Sequence, residues 1–496
     1  MFKHPVIPAG RLAAGLAALA LPLALSLPAL AGAASTTFIN PVGPATSSSA
    51  DPHVMRHSDG NYYFVSTAPG WDKLELRKSP SLSGIGARAP VTVFVKSAAC
   101  SGNNCTSKEI WAPEINHIDG AWYIYFSSAG SDNQHRVFAI RNPSADPTTG
   151  SWSAPVKVAD SEDSWAIDQT VANINGQLYM AWSDISGGQP QRIKIARMSS
   201  PTTLIGKGAI ISTPTLVWEK SGAAVNEGPA FIVHGNKVHM SISASGCWTD
   251  DYKLGLLSAN LGADLTMPSN WSKAATPILQ KGNGAFGPGH NGFTKSPDGS
   301  EDWIVYHANP ASGQGCGDAR TTRIQKVSWN GDVPVIGAPI ASGTPVTRPS
   351  GEGSATIWYR VRNEASGKVM SIDRAAPANG AAIWQFTNLN NSDQLWSLDP
   401  VDGAWLKLTS NYNGNVVDVV GHSTAPGVAV KTYPYGATYN QQWLLVPGST
   451  QYLGLRNRNS GLMLDNKDGS LLDGAVIQQW TANGLAPQRW RLERAN

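Results

Sequence analysis

The sequence predicts an all-β chain in two parts, a five-bladed β-propeller followed by a smaller domain of three equivalent lobes. The first indication is a set of five glycine turns spaced 60, 56, 59 and 64 residues apart, which is the period of propeller blades. The second is a Gln-x-Trp motif that recurs every 47 residues in the later part of the chain. A short polar segment rich in Gly, Ser and Pro lies between the two repeats, as is typical of a flexible linker.

Each turn of the first repeat ends in a glycine and leads into a short strand rich in aromatic residues. These strands alternate large apolar residues with smaller or polar ones, which is the pattern of a half-buried β-strand. We therefore place the propeller at residues 36–345. The turns and strands are Gly60 with NYYFVST, Gly120 with AWYIYFSS, Gly176 with QLYMAWS, Gly235 with NKVHMSIS and Gly299 with SEDWIVYHA.

A polar or aromatic side chain stands eight or nine residues before every one of these glycines. If each preceding segment is the innermost strand of its blade, these side chains begin their strands at the same level around one central axis. Three carboxylates would then meet a Trp and a His in one funnel. The five residues are Asp51, Trp111, Asp168, Glu227 and His290.

The first 33 residues have the pattern of a secretory signal peptide. Lys3 and Arg11 precede a Leu/Ala run from Leu12 to Leu30, which ends among small residues. We expect cleavage near residues 31–34, and a secreted, extracellular protein with no membrane association.

The four cysteines fit an oxidising compartment. Cys100 and Cys105 bracket a four-residue loop, whereas Cys247 and Cys316 follow the equivalent strands of blades four and five. Two disulfides are therefore expected, and the second would connect adjacent blades. A zinc site is the alternative interpretation, although the spacings fit none of the usual Cys/His patterns.

Charge and composition restrict the class of partner. The net charge is +3 and charged residues make up 15% of the chain, below the usual figure of about 25%, which argues against nucleic acid and acidic lipid. The 18 Trp and 13 Tyr residues suit either stacking on sugar rings or an aromatic core. We expect a monomer.

The linker is placed at residues 346–356 and the three-lobed domain at residues 357–496. The repeated motif occurs as Gln394-Leu-Trp396, Gln441-Gln-Trp443 and Gln488-Arg-Trp490. An aromatic residue stands eight positions before each Gln, and a glycine stands six positions before each aromatic. These residues are Phe386, Tyr433 and Trp480, with Gly380, Gly427 and Gly474.

This domain resembles the ricin-B-type β-trefoil, family 13 of the carbohydrate-binding modules. The resemblance implies that the Gln-x-Trp residues build the core, and that an Asp, an aromatic platform and often an Asn bind sugar in each lobe. Lobe three has the complete set, Asp465, Trp480 and Asn483.

The other two lobes depart from this pattern. Lobe two has Asp418 and Tyr433, but Gly436 stands where the Asn is expected. Lobe one has Ser371 at the position of the Asp, with Asp373 displaced by two residues. Its site is therefore expected to be altered or lost.

Five short motifs of the first domain, one per blade, resemble glycoside hydrolase family 43. They are Asp51-Pro-His53, Trp111-Ala-Pro-Glu114, Ala166-Ile-Asp168, Asn226-Glu227-Gly-Pro229 and Gly289-His290-Asn291. Two carboxyl groups on opposite sides of a glycosidic bond are the minimum that its hydrolysis needs. The resemblance implies Asp51 as general base, Asp168 as the group that tunes the acid, and Glu227 as general acid. An ionised Asp168 would raise the pKa of Glu227 by like-charge repulsion.

Other residues of these motifs are expected to bind substrate, namely Trp111, His53, Glu114 and His290. A core Trp, a structural ion pair of Glu114 and a satisfied buried histidine are the structural alternatives.

Two expectations concern the surroundings of the carboxylates. Either Arg320 or Arg323 would hold a catalytic carboxylate or a substrate hydroxyl, and the sequence does not choose between them. The chemistry requires no cofactor and no metal site is predicted, although the resemblance allows a calcium ion or a water cluster near His290.

Segments 243–257 and 322–332 resemble secreted, exo-acting α-1,5-L-arabinofuranosidases that pair a propeller with a trefoil. The resemblance implies inverting release of L-arabinose from plant cell-wall arabinan or arabinoxylan, with the trefoil raising the local enzyme concentration. An endo-α-1,5-L-arabinanase and a β-xylosidase are the nearest alternatives. A non-catalytic lectin and an invertase-like hydrolase of fructosides are alternatives from other classes.

Overall fold

A computed structural model describes residues 36–44, 48–188, 190–375, 379–449 and 452–495. The predicted signal peptide, residues 1–33, lies outside the described residues. Within these ranges the elements are β-strands and single turns of 3-10 helix, and no helix is long and apolar enough to span a membrane. The 3-10 turns are Leu82–Gly84, Ser186–Gly188, Val217–Glu219, Pro268–Asn270, Ser392–Gln394, Val420–His422, Tyr439–Gln441, Lys467–Gly469 and Ala486–Gln488.

Five antiparallel sheets, each made of consecutive strands, form the blades of a propeller. They follow a short first strand, β1 (Thr37–Ile39). Blade one contains β2 (Ala50–Arg56), β3 (Tyr62–Thr67), β4 (Lys73–Ser79) and β5 (Val91–Val95). Blade two contains β6 (Lys108–Ile118), β7 (Ala121–Ala129), β8 (Arg136–Asn142) and β9 (Val156–Val158). Blade three contains β10 (Ala166–Ile174), β11 (Gln177–Asp184), β12 (Arg192–Ser200), β13 (Thr203–Leu204) and β14 (Ala209–Ser212).

The last two blades complete the propeller. Blade four contains β15 (Asn226–His234), β16 (Lys237–Ala244), β17 (Lys253–Asn260) and β18 (Ser272–Lys273). Blade five contains β19 (Phe286–Lys295), β20 (Asp302–Asn309), β21 (Thr321–Asn330) and β22 (Val333–Val335).

The first strand of every blade lies nearest the central axis. Strand β2 contacts β6, β6 contacts β10, β10 contacts β15 and β15 contacts β19, and contacts between β19 and β2 close the ring. The five turn glycines have φ between 53° and 84°, a region that glycine enters at little cost. The predicted propeller is confirmed.

The second strands are more deeply buried than their sequence pattern predicts. Every residue of β7 and of β20 is buried, because neighbouring blades pack face to face on both sides of a sheet. The prediction of half-buried strands is wrong for these two.

The N-terminal segment joins the end of the propeller domain to its beginning. Strand β1 pairs antiparallel with β23 (Pro345–Thr347), which places Phe38 opposite Val346. The fully buried side chain of Asn40 bonds both backbone groups of Ile324 in β21. Its Nδ2 donates to the carbonyl at 2.9 Å, and its Oδ1 accepts the N–H at 3.0 Å. Asn40 therefore serves as an extra strand partner for blade five.

The segment predicted as a flexible linker is bonded to the propeller. The backbone N–H of Ser350 donates to Oε2 of Glu301 at 2.9 Å. Glu352 accepts the N–H and the hydroxyl of Ser83, at 2.8 and 2.6 Å, and Arg494 reaches the same hydroxyl from the second domain at 2.9 Å. These contacts contradict the expectation of flexibility.

Both expected disulfides are present. Cys100 pairs with Cys105, and Cys247 pairs with Cys316. The second connects the loop after β16 to the loop after β20, so it joins blades four and five. All four cysteines are bonded, and the zinc alternative is wrong.

The second domain is a β-trefoil, as predicted. Its strands β24, β27, β28, β31, β32 and β35 pair in that order, and β35 pairs with β24 to close a barrel. The remaining strands form three hairpins, one in each lobe. The strands are β24 (Tyr359–Asn363), β25 (Val369–Ile372), β26 (Ala381–Phe386), β27 (Trp396–Asp402), β28 (Trp405–Ser410), β29 (Val416–Val419), β30 (Val430–Tyr433), β31 (Trp443–Pro447), β32 (Leu453–Asn457), β33 (Met463–Asn466), β34 (Ile477–Trp480) and β35 (Trp490–Arg494).

The Gln-x-Trp motifs build the trefoil core, as the sequence indicates. Trp396, Trp443 and Trp490 are at most 1% exposed. Each indole N–H donates to a backbone carbonyl 26 residues earlier, at 3.0 to 3.2 Å. The threefold repeat in sequence is thus a threefold repeat of one buried contact.

We expect Asn40→Ala to lower the free energy of unfolding by about 2–4 kcal/mol, because it leaves two buried backbone groups of Ile324 without a partner. Asn104→Ala, in the exposed part of the Cys100–Cys105 loop, is the matched control and should change it by less than about 0.5 kcal/mol. Chemical denaturation measures both. Equal stability of the two variants would contradict the structural role of Asn40.

Candidate active site

The five innermost strands share a bulge at the level where the predicted site residues stand. Their pairing with the second strand loses register next to Ala50, Trp111, Ile167, Glu227 and Gly289. One residue in each bulge has a left-handed backbone, with φ between 40° and 56°. A non-glycine residue pays about 1–2 kcal/mol for this conformation, and such strain concentrates at functional sites. The five residues are Asp51, Ala112, Asp168, Gly228 and His290.

Each bulge frees a backbone N–H, and a side chain of the preceding blade accepts it. The N–H groups of Asp51, Ala112, Asp168 and His290 donate at 2.8 to 3.0 Å to side chains near the end of the preceding blade's second strand. The N–H of Gly228 donates instead to the carboxyl of Asp168, at 3.2 Å. The bulges are therefore fixed from outside their own blades. The four accepting side chains are His307, Thr67, Ser127 and Ser243, in the same order.

Asp51 is held in its ionised form. Its Oδ2 accepts the hydroxyl of Thr67 at 2.7 Å, and its Oδ1 accepts Nη1 of Arg320 at 3.0 Å. Burial alone would raise the pKa of Asp51, but the charges of Arg320 and His290 hold that pKa well below its usual value. Of the two arginines that the sequence left open, Arg320 reaches the carboxylate, whereas Arg323 bonds a loop of blade five.

Glu227 keeps its proton to a higher pH than an ordinary carboxyl group. Burial, followed by the charge of Asp168, raises the pKa of Glu227 to about 7. The hydroxyl of Tyr252 donates to Oε1 at 2.8 Å, and Nε2 of Gln191 donates to Oε2 at 2.7 Å. These bonds favour the ionised form and oppose the rise. The side chain remains partly exposed, so it can reach a bound molecule.

Asp168 is buried beside the charge of Asp51. Burial, followed by the charge of Asp51, raises the pKa of Asp168 to about 8, although the N–H of Gly228 works in the opposite direction. The expectation of an ionised Asp168 that tunes the acid stays a prediction. Asp168 and Glu227 titrate as a coupled pair, in which a charge on one raises the pKa of the other.

His290 lies between two of the carboxyl groups. Its Nδ1 is 3.4 Å from Oδ1 of Asp51 and 3.6 Å from Oδ2 of Asp168. Burial lowers the pKa of His290, and the charges of Asp51 and Glu227 oppose that change. Within the described ranges, no three His, Cys, Asp or Glu side chains are arranged to hold a metal. A calcium ion or a water cluster near His290 stays a prediction of the resemblance.

Trp111 belongs to an aromatic wall beside the carboxylates. Its ring stacks on His135, with centroids 4.7 Å apart and planes 14° apart, and meets Trp71 edge-on at 5.7 Å. Trp165 meets His135 edge-on on the other side. Trp71 is 37% exposed, so the wall offers an apolar face on which a sugar ring could stack.

His53 and Glu114 lie deeper along the axis. Both line a cavity of about 370 Å³ between the innermost strands. Burial, followed by the charge of His290, lowers the pKa of His53 to about 4, and its Nδ1 accepts the N–H of Ile115 at 3.3 Å. Burial also raises the pKa of Glu114 well above its usual value. Their role as substrate ligands stays a prediction.

Lobe three of the trefoil places its predicted residues around one hairpin. Asp465 accepts Nε2 of Gln478 at 2.8 Å, and Trp480 is 41% exposed. The side chain of Asn483 accepts the N–H of Leu485 at 2.9 Å, so it stabilises its own turn. Sugar binding by these residues stays a prediction.

Lobe two has a similar arrangement. Asp418 accepts Nδ2 of Asn440 at 2.9 Å, and burial raises the pKa of Asp418. Tyr433 is half-buried beside Gly380 of lobe one. The predicted pair, Asp418 and Tyr433, is therefore present, and sugar binding by it stays a prediction.

Sequence reasoning missed several groups that contact the carboxyls. Thr67 and His307 stand near the ends of predicted second strands, and hairpin pairing places those ends level with Asp51. This signal could have found them. Gln191 and Tyr252 come from loops between the second and third strands of their blades, where no spacing marks them.

Family comparisons agree with both domains. The profile described as "Glycosyl hydrolases family 43" matches residues 38–334. The profile described as "Ricin-type beta-trefoil lectin domain-like" matches residues 348–433 and 439–496. These ranges coincide with the propeller and the trefoil.

Individual relatives match part of this chain. An enzyme of Streptomyces avermitilis, named extracellular exo-α-(1→5)-L-arabinofuranosidase, is 40% identical over 67% of this chain and 70% of its own length. A protein of the same name from Streptomyces chartreusis is 36% identical over 53% of this chain and 81% of its own. The crystal structure of an α-L-arabinofuranosidase from Lactobacillus brevis superimposes with a TM-score of 0.58 at 34% identity, over 62% of this chain and 98% of its own. This chain belongs to glycosyl hydrolase family 43.

Proposed function

We propose that this protein is a secreted, inverting, exo-acting α-L-arabinofuranosidase that releases L-arabinose from α-1,5-linked arabinan. The observation that carries the proposal is the position of Asp51 and Glu227 at the bulges of innermost strands around one funnel, with the pKa of Asp51 lowered and the pKa of Glu227 raised. The names of the two Streptomyces relatives support the sugar, the linkage, the exo action and the export. The trefoil supports a polysaccharide as the substrate.

Asp51 acts as the general base. Its carboxylate accepts a proton from a water molecule while the water oxygen bonds to the anomeric carbon of the sugar. The bonds from Thr67 and Arg320 fix the plane of the carboxylate, so no reorientation is needed in the transition state. Arg320 also keeps the group ionised between turnovers.

Glu227 acts as the general acid. It donates its proton to the glycosidic oxygen as the bond from that oxygen to the anomeric carbon breaks. The donation leaves a carboxylate, and the bonds from Tyr252 and Gln191 stabilise the new charge. The cycle is complete when Asp51 loses a proton to solvent and Glu227 regains one.

Asp168 supports the acid without contacting the leaving group. Because it titrates together with Glu227, a charge on either carboxyl makes the other retain its proton. Burial, followed by the charge of Asp168, in this way raises the pKa of Glu227. The N–H of Gly228, the residue after the acid, orients the carboxyl of Asp168.

We expect Glu227→Gln to slow arabinan hydrolysis by about 10²–10⁴-fold, because an amide cannot protonate the leaving oxygen. An activated aryl arabinoside has a good leaving group, so its hydrolysis should be slowed far less. Asp51→Asn should slow both substrates similarly, since neither is attacked without an activated water. Initial rates on both substrates test the assignment. Equal losses on both substrates for Glu227→Gln would contradict it.

Tyr252→Phe is expected to move the alkaline limb of the pH profile of kcat/KM upward by about 1–2 pH units. The Tyr252 hydroxyl stabilises ionised Glu227, so its removal raises the pKa of Glu227 and the acid stays protonated to higher pH. Tyr306→Phe removes a buried hydroxyl of blade five that bonds Gln325 and is the control. The pH profile with an aryl arabinoside is the measurement. A limb that stays in place or moves to lower pH would contradict the assignment.

A further inference from the structure

We propose that lobe one of the trefoil binds a sugar residue through Asp393, a carboxylate that stands on the turn before Gln394 instead of on the strand. The proposal rests on the polysaccharide-binding role of the trefoil proposed above. Nothing in the predicted pattern of the lobe points to this residue. The pattern has Ser371 at the Asp position and therefore predicts an altered or lost site.

The repeat of 47 residues identifies equivalent positions in lobes one and two. Ser371 corresponds to Asp418, and Asp393 corresponds to Asn440. In lobe two, the amide of Asn440 donates to Oδ2 of Asp418 at 2.9 Å. In lobe one, the hydroxyl of Ser371 donates to Oδ2 of Asp393 at 2.8 Å. The same two positions are therefore in contact in both lobes. The carboxylate stands on the strand in lobe two, as Asp418, and on the turn in lobe one, as Asp393.

The carboxylate of lobe one is as buried as those of the other lobes. Asp393 is 5% exposed, compared with 7% for Asp418 and 4% for Asp465. Among the residues that the structure describes, Oδ1 of Asp393 accepts no hydrogen bond, and its ion-pair partner is Nε of Arg374 at 3.4 Å. A buried carboxylate oxygen with an ion pair but no hydrogen bond retains capacity to accept one, and a sugar hydroxyl would donate to it.

A cation contacts this carboxylate, and aromatic side chains contact its two polar neighbours, Ser371 and Arg374. Trp384 stands opposite Ser371 in the hairpin, and its ring lies 6.3 Å from that of Phe386. The guanidinium of Arg374 lies 3.4 Å from Oδ1 of Asp393 and 5.5 Å from the ring of Tyr412, which is 41% exposed. Exposed rings beside hydrogen-bonding charges suit a sugar, since the rings stack on its apolar face and the charges bind its hydroxyls.

Asp373, the displaced carboxylate that the sequence offers for lobe one, has a different role. Its Oδ1 accepts the N–H of Ala375 at 3.0 Å, so it stabilises its own turn. Asp373 is therefore a matched control, because it is an Asp of the same lobe outside the Ser371–Asp393 pair.

Binding isotherms on debranched arabinan and on arabinoxylan test the proposal in the full-length protein. The background variant carries Asp418→Asn and Asp465→Asn, which disable lobes two and three, and it should still bind at least one polymer. Adding Asp393→Asn should weaken that binding by about tenfold or more, as expected for loss of a hydrogen bond to a charged group. Adding Asp373→Asn should change it by less than about twofold. Apparent Tm verifies folding of every variant.

A rescue variant separates binding from folding. Ser371→Asp combined with Asp393→Asn reproduces the Asp418–Asn440 pair of lobe two within lobe one. In the background variant it should restore binding to within about threefold of the parent. Restoration would show that the carboxylate, rather than the turn, is what the ligand needs.

The other outcomes overturn the proposal. If the wild type binds and the background variant does not, lobe one is inactive although the tethering role stands. Equal losses from Asp373→Asn and Asp393→Asn would attribute the effect to disturbance of the loop. If the wild type binds neither polymer, both the tethering role and the site in lobe one fail.

Discussion

The bond between the N–H group of one bulge and a side chain of the preceding blade is the interaction on which the site depends. A left-handed residue at the start of an innermost strand points its side chain toward the axis but loses its own ladder bond. His307 accepts the N–H of Asp51, and Ser127 accepts that of Asp168. Each catalytic backbone is thus fixed by a neighbouring blade, so the site forms only when the ring of blades closes.

The bond in blade four differs from the others in that its acceptor is a carboxyl group of the site itself. In blade four the N–H of Gly228 donates to Asp168, so backbone and carboxyl are linked next to Glu227. Arg320, which donates to Asp51, is the cation that fixes one charge. Once Asp51 is ionised, further charges in the same buried space are unfavourable. The bond from Arg320 therefore makes Asp51 the base, and Glu227, whose pKa is raised, becomes the acid.

Sequence periodicity could predict the propeller, the trefoil and the level of Asp51, Asp168 and Glu227, because regular spacing in sequence becomes equal height around an axis. It could not predict the bulges, since no residue type marks them, and four of the five left-handed residues are not glycine. The raised pKa of Asp168 depends on burial and on the charge of Asp51, which only the fold brings together. Contacts from loops, such as that of Tyr252, follow no period.

The division of protons between Asp51 and Glu227 is the central claim, and carboxyl carbon-13 NMR tests it directly. Protein labelled at Asp and Glu carboxyl carbons would be titrated from pH 4 to 9, with Glu227→Gln and Asp51→Asn for assignment. We predict that the Glu227 signal titrates near pH 7 and that the Asp51 signal stays ionised throughout. A Glu227 signal that titrates near its ordinary value of about 4.3, or an Asp51 signal that titrates within this range, would contradict the account.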